Sequence, residues 1–258
     1  MTAFAGQNWI ITGGASGMGL ETGRLLKHLG ARLAIWDVNE AAVNTYAAEL
    51  DALPLVVDVR EPEAVAEAMT RTVDAFGKVD GVLNSAGIMR TGLLHQLDAN
   101  EQKLVVDVNV SGSVIVAHYA IPHLQTTRGS LVFMGSVAAF YGTPEFATYA
   151  ATKAAILSLG QALQIELEGY GIHVGVVNPH FVSSPMLDEK NRQTRFVQSR
   201  SIFVTVYKPE QVAQTIVKGI AARRFMIMPT WRERLVYALS RYGEFCGHAL
   251  MKATWQQD

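Results

Sequence analysis

Charge is scarce in this chain. Only 17% of its 258 residues are Asp, Glu, Lys or Arg, against about 25% in an average globular protein, so much of the chain must be buried in a core or against a partner. Apolar residues make up 49%, which excludes an intrinsically disordered chain. Lys and Arg total 22 against 23 Asp and Glu, and without a net basic field no nucleic-acid partner is expected, because phosphate binding needs clustered cations. Cysteine is almost absent. Cys246 stands alone and cannot close an internal disulfide, so a reducing, cytoplasmic setting is expected. Linkers rich in Pro, Gly and Ser, internal repeats and low-complexity tracts are also missing, and no metal site is expected. The chain reads as a strand from Asn8 without a basic-then-apolar leader, so no removable signal is expected. The uncharged run over residues 108–127 has the length of a membrane span, but Asn109, His118, Pro122 and His123 interrupt it. It reads as a buried helix of a soluble protein.

Short apolar runs at residues 8–12, 32–36, 53–57, 79–84, 130–134, 173–177 and 225–228 alternate with longer segments of helical period such as 61–76 and 209–221. That alternation predicts an α/β fold: a single Rossmann-like, doubly wound domain over residues 1–228, with about seven parallel strands and helices on both faces.

The first strand runs into Thr12-Gly13-Gly14-Ala15-Ser16-Gly17-Met18-Gly19, then a helical stretch. Glycines at that junction permit a tight turn and bring backbone N–H groups to a pyrophosphate at a helix N-terminus. The cluster also fits an ordinary strand-to-helix turn, but the residues at the later strand ends weigh against that. The second strand ends at Asp37, where a carboxylate can accept from both hydroxyls of an adenosine ribose and repel a 2′-phosphate. Neither Ser16, Val38 nor Asn39 is a cation, so NAD is expected over NADP. Asp58 after the third strand can accept from an adenine amino group, with Val59 covering the ring. Asn84, Ala86 and Gly87 follow the fourth strand; Asn84 suits a tie between strands, and Gly87 leaves room for a ribose. With Gly13, Ser16, Gly17, Met18 and Gly19, all of these are cofactor-binding candidates.

Ser136 follows the fifth strand, and Tyr149 and Lys153 stand four residues apart at the start of a helix, which puts phenol and ammonium on one face. A tyrosine with an ordinary pKa near ~10 is a weak base at neutral pH, and a nearby cation should lower that value. The pair is a usable acid/base unit for an alcohol proton. Tyr141 also follows Ser136, but Glu145 lies four residues later. By itself, a Tyr and a Lys at this spacing also describe a plain surface helix.

Together, Thr12 to Gly19, Asp37, Asp58, the turn from Asn84 to Gly87, Asn109, Ser136, Tyr149 and Lys153 resemble the short-chain dehydrogenase/reductase family, in order and rough spacing, from Asn8 to about Met228. The resemblance implies a Tyr149 general acid/base, a Lys153 that holds the nicotinamide ribose, a Ser136 that binds the substrate oxygen, and an Asn109 that supports a water relay to Lys153. It also places Pro179, Val182 and Ser184 along the nicotinamide, with Ser184 at its carboxamide, and Tyr149 and Lys153 at the cofactor too. One departure stands out: the family's usual Pro-Gly reads Pro179-His180 here. His180 either lines the substrate pocket or points away from it.

Residues 185–206 fall where the family has a mobile substrate loop, and they mix charge with Phe196, Ile202 and Phe203. Beyond Met228, an extension over 229–258 carries Trp231, Leu235, Leu239, Tyr242, Phe245, Leu250 and Trp255 at roughly helical spacing, with six Lys or Arg from Arg223 onward against three acids. It is expected to pack on its own subunit or a mate, to cover the active-site mouth, or to make a peripheral membrane contact. Only Arg128 is charged between Val108 and Pro144, and in the resembled family the helices there form subunit contacts, so a homodimer or homotetramer is expected. The implied function is NAD-dependent interconversion of a secondary alcohol and its ketone, on a lipophilic substrate such as a steroid, retinoid or long-chain compound. Two alternatives stand beside it: a catalytically silent NAD(H)-binding sensor or scaffold, and a reductase of small polar carbonyls.

Overall fold

The computed structural model describes residues 3–187, 191, 194–198 and 206–242. Its strands, in chain order, are β1 (Asn8–Thr12), β2 (Arg32–Asp37), β3 (Leu53–Val56), β4 (Gly81–Asn84), β5 (Ser130–Met134), β6 (His173–Val177), β7 (Phe181–Val182), β8 (Val206–Tyr207) and β9 (Met226–Ile227). The α-helices are α1 (Gly17–His28), α2 (Glu40–Leu50), α3 (Pro62–Phe76), α4 (Ala99–Val106), α5 (Gly112–Thr127), α6 (Ala147–Glu166), the single turn α7 (Arg195–Gln198), α8 (Pro209–Ala221) and α9 (Trp231–Tyr242).

Seven strands pair in the order β3-β2-β1-β4-β5-β6-β9, all parallel. This is the expected Rossmann-like, doubly wound sheet. Alternate residues of each strand feed two cores. Ile10, Trp36, Val82, Leu131, Phe133 and Val176 point to one face, under α3, α5 and α6. Trp9, Ile11, Ile35, Leu83, Val132 and Val177 point to the other, under α1, α2 and α8. Both faces are covered, so β1, β5 and β6 are buried at every residue, as parallel strands should be. The chain winds outward from β1 to β3, then returns to place β4 on the opposite side of β1. The carboxyl edge at such a reversal is where open α/β sheets bind ligands.

Local chemistry sets several boundaries. Asn39 and Asp98 cap α2 and α4 by accepting backbone N–H bonds from Ala42, and from Asn100 and Glu101. Gly77, at φ +78°, ends α3. The expected strands at 53–57, 79–84 and 225–228 are shorter than their apolar runs, since Val79 and Asp80 serve the turn into β4: Asp80 accepts from the Asn8 backbone N–H at 2.9 Å.

The uncharged run becomes α5, preceded by a π-helical turn at Asp107–Ser111 that holds Asn109. The combined helical run Ala99–Thr127 is long and apolar enough to cross a membrane by length and composition. In this fold Val116, Ala117, Ala120 and Leu124 belong to the core beneath the sheet.

One feature differs from expectation. The pair β7 and β8, each two residues long, lies outside the main sheet; such short segments leave no periodicity to detect. The tail does form a helix, and in it Trp231 and Leu235 are exposed while Glu233 and Val236 are buried. Phe245, Cys246, Leu250, Trp255 and most of the charged residues of the 185–206 loop lie outside the described residues.

Candidate active site

The glycine-rich junction is fixed by Thr12. Its hydroxyl donates to Asn84 Oδ1 at 3.0 Å and accepts from the Ser85 and Ala86 backbone N–H groups, both at 3.0 Å. This ties the end of β1 to the end of β4. Gly13 sits at φ +61°, and a Cβ there would lie 2.8 Å from the Ala86 Cα. Only glycine lets the two loops meet. α1 then begins with Ser16 as its N-cap, with no side-chain capping bond and no acid in its first turn, which leaves the positive end of the helix free for an anion.

A groove runs along this edge, lined among others by Gly13, Ser16, Gly17, Met18, Asp37, Asp58, Val59, Ala86, Gly87 and Ser184. Asp37 is held at its mouth, accepting from the backbone N–H of Ala15 at 3.2 Å and of Asn39 at 3.1 Å. Asp58 is not free: Arg60, which sequence reasoning missed, grips it with Nε at 2.9 and 3.0 Å and Nη2 at 2.5 Å, and that guanidinium holds the carboxyl below the usual range. An arginine two residues beyond the strand-end acid was the available signal.

Three of the candidate residues stand behind the surface of the site. Asn84 and Gly19 are absent from the lining of both cavities at the site. Asn84 is buried and spent on the strand tie, donating from Nδ2 to the Ser113 carbonyl at 3.3 Å. Gly19 packs beneath the loop, where a Cβ would lie 2.5 Å from the Gly13 carbonyl oxygen. Asn109 also stands behind the surface. Its Oδ1 accepts from the Ile88 N–H at 2.8 Å, its Nδ2 donates to the Ile88 carbonyl and to Thr152 Oγ1, and its backbone carbonyl accepts from Ser113 Oγ at 2.7 Å. The side chain pins the turn that carries Gly87.

The groove opens into a second cavity of about 1000 Å³, counting its open mouth, lined by Ser136, Tyr149, Lys153, Pro179, His180, Val182 and Ser184 among mostly apolar side chains. Ser136 has an extended backbone, and its Oγ accepts from the Ala138 N–H at 3.1 Å. Burial pushes the Tyr149 phenol up to about 12, with the nearby Ser136 hydroxyl opposing that shift. Lys153, four residues on along α6, donates to the Met134 carbonyl at 2.7 Å and stands 5.4 Å from the Tyr149 ring centre. Burial brings its pKa down to about 8. The ammonium is turned to the end of β5, and burial is the first cause of the shift in both groups. An added Cβ on Gly87 would lie 3.8 Å from Lys153 Nζ, so groove and catalytic side chains share one junction.

His180 points inward. It is buried, lines the second cavity, and has Nε2 4.0 Å from Glu233 Oε1. Tyr141 also reaches this cavity, where its hydroxyl donates to the Val236 carbonyl at 3.3 Å. Val236 brings α9 to the same wall. Sequence reasoning missed Glu233, although Thr230-Trp231-Arg232-Glu233 has the spacing of a capping box.

Comparison with known proteins agrees with this geometry. A family model described as short chain dehydrogenase matches residues 7–195. A 3-oxoacyl-[acyl-carrier-protein] reductase of Thermotoga maritima is 33% identical over 221 residues, covering 82% of this chain and 89% of that protein. A cis-4-hydroxycyclohexanecarboxylate dehydrogenase of Sinomonas cyclohexanicum is 30% identical, covering 83% and 89%. Among solved structures, a short chain dehydrogenase/reductase from Burkholderia phymatum in complex with NAD superposes with a TM-score of 0.82 at 25% identity, over 93% of this chain and 94% of that one.

Proposed function

This chain belongs to the short-chain dehydrogenase/reductase family, and from that premise we propose that it interconverts a secondary alcohol and its ketone, with NAD preferred over NADP and a largely apolar substrate. The observation that carries the reading is the junction itself: Ser136, Tyr149 and Lys153 line one apolar cavity where it meets a glycine-cradled groove, with the Lys153 ammonium 5.4 Å from the Tyr149 ring centre. The groove residues fit a dinucleotide. Gly13 makes room for backbone approach, the free N-terminus of α1 faces anionic groups, and Asp37 suits an unphosphorylated ribose. Arg60 is a poor welcome for a 2′-phosphate, since Asp58 already neutralises it.

A nicotinamide bound along Pro179, Val182 and Ser184 supplies the hydride acceptor for oxidation or donor for reduction. Ser136 orients the substrate oxygen by hydrogen bonding and stabilises charge on it. Tyr149 takes the alcohol proton, or returns it to the forming alkoxide. Lys153, released from Met134, holds the cofactor ribose and favours the phenolate. The relatives' names span 3-oxoacyl and hydroxycyclohexane substrates, which supports a hydroxyl/ketone reaction and leaves the compound open. The apolar cavity wall, with Met89, Phe146, Phe181 and Leu187, favours a lipophilic body over a small polar carbonyl.

Assembly as a homo-oligomer and cytoplasmic residence belong to the same proposal. Ile165 on α6 is 76% exposed and Val114 on α5 46%, which supports burial of these helices between subunits. The test of the activity is Tyr149→Phe. It should abolish turnover with NAD while NADH binding persists; retained turnover would overturn the acid/base assignment, and NAD binding without turnover by the wild type on any hydroxy or keto compound would favour a silent sensor.

A further inference from the structure

Glu233 is completely buried, at 0% exposure, although helix caps ordinarily sit in solvent. One of its oxygens does capping work: Oε2 accepts from the Thr230 N–H at 2.9 Å and hydroxyl at 2.6 Å, while Thr230 Oγ1 accepts from the Arg232 N–H at 3.2 Å. The other oxygen is not needed for the cap. Oε1 accepts from the Tyr207 hydroxyl at 2.8 Å and faces His180 Nε2 at 4.0 Å. Burying a carboxylate is costly unless it is paired, so a cap alone gives no reason to carry this one in behind His180, which lines the substrate cavity.

We propose that His180, oriented by Glu233, is a second polar anchor of the substrate cavity, accepting a hydrogen bond from a substrate hydroxyl close to the carbon that is oxidised or reduced. This rests on the activity proposed above and names its substrate class: an apolar body bearing two neighbouring oxygen functions.

The chemistry follows from the ring and its position. Burial lowers the His180 pKa, with Glu233 opposing and the Arg232 charge reinforcing the shift, so the ring is neutral at neutral pH and carries one N–H and one lone-pair nitrogen. At 4.0 Å the contact with Glu233 is electrostatic, and it favours the tautomer with the proton on Nε2. Nδ1 is then the acceptor. The Pro179 carbonyl, one residue earlier, accepts from Ser136 Oγ at 3.5 Å. Ser136, Tyr149 and His180 line one cavity, and the segment that carries the imidazole is tied to Ser136 at its start, so the second oxygen is taken as vicinal to the first. Tyr149 and Ser136 take the first oxygen; the Tyr141 and Thr143 hydroxyls on the same cavity donate to the Val236 and Tyr141 carbonyls, and Met89, Phe146, Phe181 and Leu187 are apolar.

The experiment compares 1-phenyl-1,2-propanediol with 1-phenyl-1-propanol, both for binding to the enzyme–NADH complex by quenching of NADH fluorescence and for oxidation with NAD. Binding of the diol should be about tenfold tighter, the size expected of one buried hydrogen bond. That ratio should fall to near one in His180→Leu and part of the way in Glu233→Gln, whereas His180→Gln, which keeps an acceptor, should restore some of it. Equal binding of the two alcohols by the wild type, or an unchanged ratio in a folded His180→Leu protein, overturns the inference. A diol preference in binding with no oxidation of either alcohol would uphold the His180 anchor and overturn the assignment of such alcohols as substrates instead.

Discussion

The cofactor groove and the far wall of the substrate cavity are built by opposite means. From β1 to the turn after β4, the groove is a matter of backbone: strand ends placed by the sheet register, a loop that admits only glycine at Gly13, and a helix N-terminus left free of acids. The far wall is a matter of side chains drawn from short, separate pieces: His180 after β6 lines it, and behind it Tyr207 in β8 and Thr230 and Glu233 at the start of α9 are joined through one carboxylate. Backbone sites follow from topology and are hard to alter without losing the fold. Side-chain walls can change one residue at a time, and substrate choice can drift while the cofactor site stays put.

The sharpest way to break that comparison is at the junction where both regions meet. Tyr149→Phe removes one oxygen from the cavity side and nothing from the groove. Turnover should fall by about 10²–10⁴-fold, the range for loss of a general acid/base, while the NADH dissociation constant changes less than about twofold. A parallel loss of cofactor affinity would show that the two regions are not separable.

A second effect concerns the buried pair in the cofactor-free protein. The folded-state pKa of Lys153 is down to about 8, below its ordinary value near ~10.4. Between those values the unfolded chain holds a proton that the folded chain lacks, so stability should rise with pH. The gain between pH 8 and 10 should be about 1–3 kcal/mol. Above pH 10 the sign reverses, because Tyr149, pushed up to about 12, keeps its proton when folded and loses it when unfolded. Urea unfolding at pH 8 and 10, with Lys153→Met as the control that removes the rise, measures this. A flat profile would mean that the lysine is not desolvated as its contact with Met134 implies.

The two regions also differ in how legible they are in the sequence. Gly13, Gly17 and Asp37 are visible because backbone constraints leave marks at fixed spacing, and the i, i+4 placement of Tyr149 and Lys153 survives in any helix. Asn84 leaves an ambiguous mark: a polar residue at a strand end looks the same whether it holds a ligand or ties two strands, and the tie that its position suited is the one the Thr12 and Ser113 bonds make. Arg60, Tyr141 and Glu233 leave little mark, since what each faces depends on segments distant in the chain. The tail shows the same limit. Its helical period is legible, but the burial of Glu233 on that helix is not.

On the groove side, Asp37→Ala should lower the NAD to NADP preference in kcat/KM by about tenfold or more, as expected when a charge-assisted hydrogen bond is lost and a repulsive charge with it. Turnover at saturating NAD should change little. Should the ratio hold steady, the ribose contact lies elsewhere on the groove, and Arg60 becomes the next residue to substitute.

The smallest effect tests whether the far wall can loosen by itself. Thr230→Val keeps shape but removes the hydroxyl that bonds both Glu233 and the Arg232 N–H. Loss of such a cap costs about 1 kcal/mol, which for a chain of this size is a fall of about 2–4 °C in Tm. Thr230 is not part of the groove lining, so the NADH dissociation constant should be unchanged, while KM for the alcohol rises because Glu233 no longer fixes His180 and the start of α9. A shift in both constants would mean that the capped helix supports the groove as well, and that the wall is part of the scaffold rather than a replaceable face of it.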